Sequence, residues 1–407
     1  MYLRYNKAGV GSLGGMFFME NLMNTATESD DRKPKQPPPD KLASFDAIVL
    51  PSECKQEFSD DKIDAGILIS FVVPCYNASS YMDRCLQSMV EGAVDFYDSI
   101  EIIIVDDGSN DEETATKADQ WQADHPGIIT AVHQENGGHG EAVNTGLYIS
   151  RGLYFKVVDA DDWLHPQSLS MVLGHLRKLS ANKLDLMITN YVYEKTDIGK
   201  RKPIAYHNVM QEGRILNWGD VGTFRPYQNL LMHSLIYRTE LLRSIGLKLP
   251  SHCYYVDNIF AYVPLLAVET IYYLNVDLYR YYIGREGQSV HESTMIKRVD
   301  QQLLITRIMI DACQLGKDVE NVQLQSYMTH YLIMMMTICA VFLRLSKRSD
   351  AEKQRLALWA YLKEKDPAIY LKVRGDMLSI AANIPGRFGF LVATAGYRLA
   401  QRIFKFN

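Results

Sequence analysis

A chain of 407 residues has room for two or three ordinary domains and a sizeable buried core. Its 47% hydrophobic and 22% charged residues are the balance of a globular protein, and a net charge of −5 argues against a nucleic-acid coat. Six scattered cysteines without a CxxC pair argue against a metal knuckle or a disulfide framework, and predict reduced thiols in a cytosol.

Residues 1–64 read as a disordered leader, because Thr27–Lys41 (TESDDRKPKQPPPDK) is too charged and Pro-rich to bury apolar surface. Residues Gly9–Met23 lack the apolar core and cleavage site of a secretory signal, so a cytoplasmic protein is expected. From Ala65 the texture changes. Strands are predicted over Ile67–Val73, Glu101–Val105, Ile128–His133 and Tyr154–Val158, with helices over Ser79–Val90, Asp111–Ala123 and Gly140–Ser150 between them. Short continuous apolar strands separated by helices indicate a mostly parallel sheet covered on both faces. Further strands are expected over Leu230–Tyr237 and Thr270–Leu274, and a helix over Asn258–Ala267. The catalytic domain is placed at 65–292. Helices over Ile296–Leu315, Val322–Leu345 and Ala351–Lys363 are expected in a C-terminal region at 293–407. The apolar run Tyr331–Leu343 is too short for a bilayer, which needs roughly 20 residues, and suits a buried helix.

Ligands of such sheets bind beyond the carboxyl ends of the strands. Here the first strand ends in Pro74-Cys75-Tyr76-Asn77, the second in Asp106-Asp107-Gly108-Ser109 and the fourth in Asp159-Ala160-Asp161-Asp162. Carboxylates gathered along one rim repel one another unless a cation neutralises them. A divalent ion carrying a diphosphate does so, since Mg²⁺ and Mn²⁺ prefer oxygen ligands. Each segment also has a structural reading: Asp107-Gly108 as a turn, Asp162 or Asn77 as a helix cap. Their joint occurrence, in order and each after a buried strand, favours a binding site.

The segments ISFVVPCYNASSYMDRCLQSM, IEIIIVDDGSND and GGHGEAVNTGLYISRGLYFKVVDADDW resemble the nucleotide-sugar half of the inverting family 2 glycosyltransferases, which have the GT-A fold. The resemblance is close over about Ile67–Leu176 and loose to about residue 295. It implies a hexosyltransferase-type enzyme acting on a nucleotide-diphosphate sugar (UDP foremost), with Mn²⁺ or Mg²⁺ and a saccharide or lipid-linked acceptor. By that resemblance Pro74, Tyr76 and Asn77 line the nucleobase pocket and Asp106 or Asp107 reads the base. Asp159 lies near the ribose and the metal, Asp161 ligates the metal, and Asn144 and Gly146 pack under the donor. Family members carry Arg where this chain has Val143, which leaves Lys156, His139 or Arg151 to supply the missing charge.

Displacement at the anomeric carbon also needs a base for the acceptor hydroxyl. The family uses the Asp of an acidic pair before a helix. The matching stretch, Tyr254-Tyr255-Val256-Asp257-Asn258, retains only Asp257, which could alternatively be a helix N-cap. Arg280, Arg285, Gln288 and His291, around a Gly-rich bend, are candidate phosphate or acceptor contacts. The neighbouring tyrosines at 272, 273, 279, 281 and 282 read as packed strand residues. A nucleotidyltransferase would need a basic Gly-rich loop after the first strand, where none occurs before Arg84. A non-catalytic carbohydrate-binding relative is the rival from another class. The tail 371–407 is basic and amphipathic, fit either to dock on the protein or to lie on the inner face of a membrane.

Overall fold

The computed structural model describes residues 63–195, 199–225, 228–283, 292–386 and 389–395. Almost all of the expected leader, the candidates Arg285, Gln288 and His291, and tail residues 396–407 lie outside the described residues. The described residues fall into two compact units, one of 63–222 with 230–283, the other of 223–225, 228–229 and the residues from 292 onward.

The first unit is built on a ten-stranded sheet. Strands β1 (Ile69–Cys75), β2 (Ile100–Asp106), β3 (Ile129–His133) and β4 (Tyr154–Val157) are parallel in the order β3-β2-β1-β4. Every residue of β1 and β2 is buried, which is why both read as unbroken apolar runs rather than alternating ones. Helices α1 (Met82–Gly92), α2 (Glu113–Asp124) and α3 (His139–Ile149) cross between them. The register sets Cys75 beside Asp106 and Asp106 beside His133, so all the polar strand ends share one rim.

Helix α3 packs on β1 through Gly146, where an added Cβ would lie 2.3 Å from Val72 Cγ1. Val72 is fully buried and cannot swing away. Gly146→Ala should therefore lose about 1–3 kcal/mol of stability through overpacking. The check is a lower urea midpoint at an unchanged denaturant slope.

The remainder of the sheet is mixed. After β5 (Trp163–Leu164) and helix α4 (Pro166–Leu179), the chain forms β6 (Leu186–Lys195), β7 (Lys200–Ile204), β8 (Ile215–Leu216), β9 (Leu235–Arg238), helices α5 (Thr239–Ser244) and α6 (Asp257–Tyr262), and β10 (Ile271–Tyr282). Antiparallel β9 joins β4 to β6, β6 is parallel to β10, and β5 closes the row antiparallel to β10. Three sequence expectations change here. The strand expected over Leu230–Tyr237 starts only at Leu235, after a 3₁₀ turn over Met232–Ser234. The helix from Asp257 turns to 3₁₀ at Val263, because Pro264 has no N–H to continue the ladder. The strand expected to stop at Leu274 runs on to Tyr282 through register shifts near Asp277, taking in the tyrosines.

The second unit is helical: α7 (Glu292–Lys297), α8 (Val299–Asp311), α9 (Leu315–Asp318), α10 (Val322–Leu345), α11 (Ala351–Lys365), α12 (Pro367–Gly375) and α13 (Met377–Ala382). Asn321 caps α10 by accepting from the N–H groups of Gln323 and Leu324. With 24 residues α10 is long enough to cross a bilayer, beyond the short apolar run expected, yet 83% of its most apolar window is buried. Polar contacts such as Thr306 Oγ1 to Cys339 Sγ at 3.2 Å fix α8 against it. The five described cysteines are free and buried.

Candidate active site

The loops after β1 and β2 are latched together. The Asn77 N–H donates to Ser109 Oγ at 2.9 Å, and Asn77 Oδ1 accepts from the Asn110 N–H at 3.0 Å. Asn77 takes a left-handed φ of 49°, a conformation that Asn tolerates. Pro74 is buried in β1, whereas the Tyr76 ring is 51% exposed on the rim. Asp106 is buried, accepts from the Ser109 N–H and pairs with His133 Nδ1 at 2.9 Å. Asp106 and a second carboxylate, Asp119, together raise the His133 pKa.

Asp107 and Asn144, both expected at the donor, are each anchored by hydrogen bonds to other parts of the chain. The buried Asp107 carboxylate accepts from Gln134 Nε2, Asn136 Nδ2 and the N–H groups of Gly137 and Gly138, all within 3.1 Å. Four donors fill the lone pairs a carboxylate offers, so Asp107 shapes the Gly-Gly turn. The Asn144 amide brackets Leu249, donating to its carbonyl at 2.9 Å and accepting from its N–H at 2.8 Å. The chain from Leu249 to Asp257 is thereby held over the turn. A Cβ at Gly140 would come within 2.5 Å of the Pro250 carbonyl, a contact that explains the glycine.

The acids after β4 divide by environment. Asp162 is buried, accepting from the Tyr279 hydroxyl at 2.8 Å and the Tyr282 N–H at 2.7 Å. Burial, with Asp161 and Asp159 nearby, holds its pKa well above the usual carboxylate range. Asp159 is half-buried and meets His139 Nε2 at 2.8 Å. Burial opposes its ionisation, but the His139 contact prevails and the pKa is lowered. His139 in turn is raised: burial disfavours its charge, and Asp159, Asp257 and Asp161 more than restore it. Asp161 is half-buried beside them.

Of the three residues considered as substitutes for the missing Arg, only His139 faces this rim. Lys156 is buried and donates to the carbonyls of His233 and Leu235, with burial lowering its pKa to about 7. Arg151 pairs with Glu101, beside Ser70 near the amino end of β1 and so away from the rim. Arg280, a candidate phosphate contact, is buried against Glu194 at 2.9 Å.

Asp257 stands in the first turn of α6, which has no side-chain cap; the residue before the helix is Val256. The N-cap reading of Asp257 thus does not describe this helix. Its carboxyl is pushed up to about 6, chiefly by burial, with His139 pulling it down and Asp159 pushing it up. Asp159, Asp161, Asp257 and His139 therefore form one electrostatic group, drawn from β4, α6 and α3.

Tyr279 and His233 were not singled out from the sequence as site residues. The Tyr279 hydroxyl accepts from the Asp159 N–H at 3.1 Å and donates to Asp162, while the His233 ring stacks on it at 4.5 Å. Ligand atoms of Asp159, Asp162 and His233 lie within 4.8 Å of one another, and His233 Nδ1 is buried without a hydrogen-bond partner. A hydroxyl on a buried strand was the one available signal for Tyr279; His233 carried none.

Residues 70–238 match the family model described as Glycosyl transferase family 2. EpsH of Bacillus subtilis, named as a glycosyltransferase, is 25% identical over 67% of this chain and 76% of its own length. The glycosyltransferase GlyA of Streptococcus pneumoniae is 27% identical, and the chondroitin synthase of Escherichia coli 35% identical. Those matches span only 32% and 16% of the two relatives' lengths. The crystal structure of Staphylococcus aureus TarS 1–349 with UDP-GlcNAc superposes with a TM-score of 0.59 at 18% identity, covering 83% of this chain and 92% of that one. That likeness establishes the fold, a GT-A-like sheet followed by helices. The acid-lined rim, the matched segment and the shared fold agree, and residues 70–238 of this chain are similar to the family 2 glycosyltransferases.

Proposed function

We propose that the chain transfers a sugar, with inversion, from a UDP-sugar to a saccharide or lipid-linked acceptor. The observation that carries this reading is the grouping of Asp159, Asp161, His139 and Asp257 beyond the carboxyl end of β4. The uracil would lie against Tyr76 and Asn77, within reach of Asp106, and the ribose near Asp159. A ligand there would complete what the fold leaves charged. A divalent cation fits the donor set, since Asp161 and Asp159 oppose the ionisation of Asp162, Asp159 opposes that of Asp257, and His139 is the facing counter-charge. Mn²⁺ or Mg²⁺ would be held by Asp161 with Asp159, and would supply positive charge to the departing diphosphate.

The chain's own groups do the remaining work. His139, positively charged beside Asp159, supplies the charge that Val143 lacks and holds the Asp159 carboxylate in place. Asp257 takes the proton from the acceptor hydroxyl as that oxygen attacks the anomeric carbon opposite the diphosphate. One base suffices for a single displacement, which inverts the centre. In UDP-GlcNAc-bound TarS a nucleotide sugar occupies the same fold.

UDP with Mn²⁺ should raise the melting temperature by several degrees, as a ligand of the native state alone must. No response to UDP, GDP or dTDP would remove the donor assignment. A hydrolysis screen over nucleotide sugars then identifies the sugar.

A peripheral membrane setting is supported by the second unit, where Leu371, Met377, Ile380 and Leu391 are 71%, 67%, 48% and 61% exposed. Lys372 and Arg374 stand among them. Apolar side chains flanked by cations suit an anionic lipid surface. Cosedimentation with phosphatidylglycerol vesicles should fall severalfold in Leu371→Asp. Equal recovery of both proteins would retire the membrane contact.

A further inference from the structure

A second group of charges lies beyond the acid rim, on the side of β5, β6 and β10. Glu194, buried at the end of β6, accepts from Arg280 at 2.9 Å with one oxygen and from Arg201 at 3.0 Å with the other. Arg280 is 9% exposed, and its Nε is buried without a hydrogen-bond partner. Arg84, exposed on α1, stacks over Trp163 with its guanidinium carbon 3.1 Å from the ring centroid. No ion pair involves Arg84 among the described residues. Burial lowers its pKa, Glu194 and Tyr282 act to raise it, and Arg201 to lower it, so these groups share one field.

Two guanidiniums thus share the Glu194 carboxylate, and a third, Arg84, lies over Trp163, the strand partner of Arg280, so cations outnumber the carboxylate they gather around. Such a surplus is unfavourable by itself and favours an anion with several acceptor oxygens, for which the guanidinium fork is the matching donor. The patch adjoins the reaction centre: Trp163 follows Asp162 directly, and the Tyr282 N–H donates to Asp162 Oδ1 at 2.7 Å. The donor diphosphate belongs with the acids at Asp159 and Asp161, so this anion is a different one.

We propose that Arg84, Arg201 and Arg280, beside Trp163, bind a phosphate group carried by the acceptor. The inference rests on the transferase reading and names the acceptor class within it: a phosphorylated saccharide or polyol, or a lipid-linked phosphate. The two sources share the phosphate ester and differ in the chain attached to it.

The test uses the full chain saturated with UDP and Mn²⁺, so that the donor site is occupied. Glycerol 3-phosphate and dihexanoyl phosphatidic acid are titrated separately by calorimetry. Wild type should bind at least one of them, and Arg84→Gln and Arg201→Gln should each weaken that binding about fivefold to tenfold, as the loss of a charge-assisted contact does. Both side chains are exposed (Arg201 by 70%), so the variants should fold, and their melting response to UDP reports that they have. Preference for the glycerol ester supports a soluble phosphorylated acceptor, and preference for the lipid supports a lipid-linked one. Equal affinity in wild type and both variants, or no binding of either probe, overturns the proposal. The wild-type UDP response tests the transferase reading separately, so either can fail without the other.

Discussion

Asp257→Asn should lower turnover by about 10³-fold or more while making the protein more stable at neutral pH. The first effect follows from the proposed role of Asp257 as the acceptor's base, a contribution that is typically 10²–10⁴-fold. The second follows from the carboxyl's elevated pKa. A group held near 6, above its ordinary value, favours folding when protonated, and that contribution is lost as pH rises through 6. Keeping it ionised at pH 7.5 costs up to about 3 kcal/mol, which the amide avoids. The lost interaction with the α6 dipole offsets no more than about 1 kcal/mol. Thermal melts at pH 7.5 and pH 5 should therefore show a gain in the variant that shrinks at the lower pH. In wild type the same carboxyl predicts kcat/KM falling tenfold per pH unit below about 6. A residue placed there only to start a helix would give the opposite: normal turnover and a lower melting temperature. That pair of results would end the catalytic assignment.

How far the sequence could be read follows from which interactions are local. The parallel strands were legible because each is buried on both faces and so is apolar throughout, and the rim was legible because polar residues follow each strand abruptly. The anchoring of Asp107 and Asn144 was not. Their partners, the Gly137–Gly138 turn and Leu249, lie 30 and 105 residues away, and nothing in a DDG or VNT segment announces them. The end of β10 was missed for a related reason. Tyrosines at 279, 281 and 282 are legible as strand-forming, but the register shifts at Asp277 that carry the strand onward depend on β6, itself set by tertiary pairing. Nor could spacing choose among Lys156, His139 and Arg151, since only the direction of each side chain separates them.

Asp161→Asn and Asp162→Asn, neighbours in sequence, should differ sharply. Asp161 stays half-buried on the rim, whereas the Asp162 oxygens are taken by Tyr279 and Tyr282. Burial and its acidic neighbours also raise the Asp162 pKa well above the usual carboxylate range, which disfavours its charged form. Asp161→Asn should abolish the added stabilisation by Mn²⁺ with UDP and reduce turnover by about 10²-fold or more, the scale of losing one electrostatic stabiliser. Asp162→Asn should keep the Mn²⁺ response, with at most a lower baseline melting temperature. The competing seat is the pocket of Asp159, Asp162 and His233, whose ligand atoms are close enough for an ion. Two observations weigh against it: His233 lies against Lys156, whose Nζ donates to its carbonyl at 2.8 Å and in its charged form would repel a divalent cation. The Asp162 oxygens would also have to surrender two hydrogen bonds. If Asp162→Asn and His233→Ala lose the Mn²⁺ response while Asp161→Asn retains it, the ion belongs in that inner pocket and the rim assignment of Asp161 is wrong.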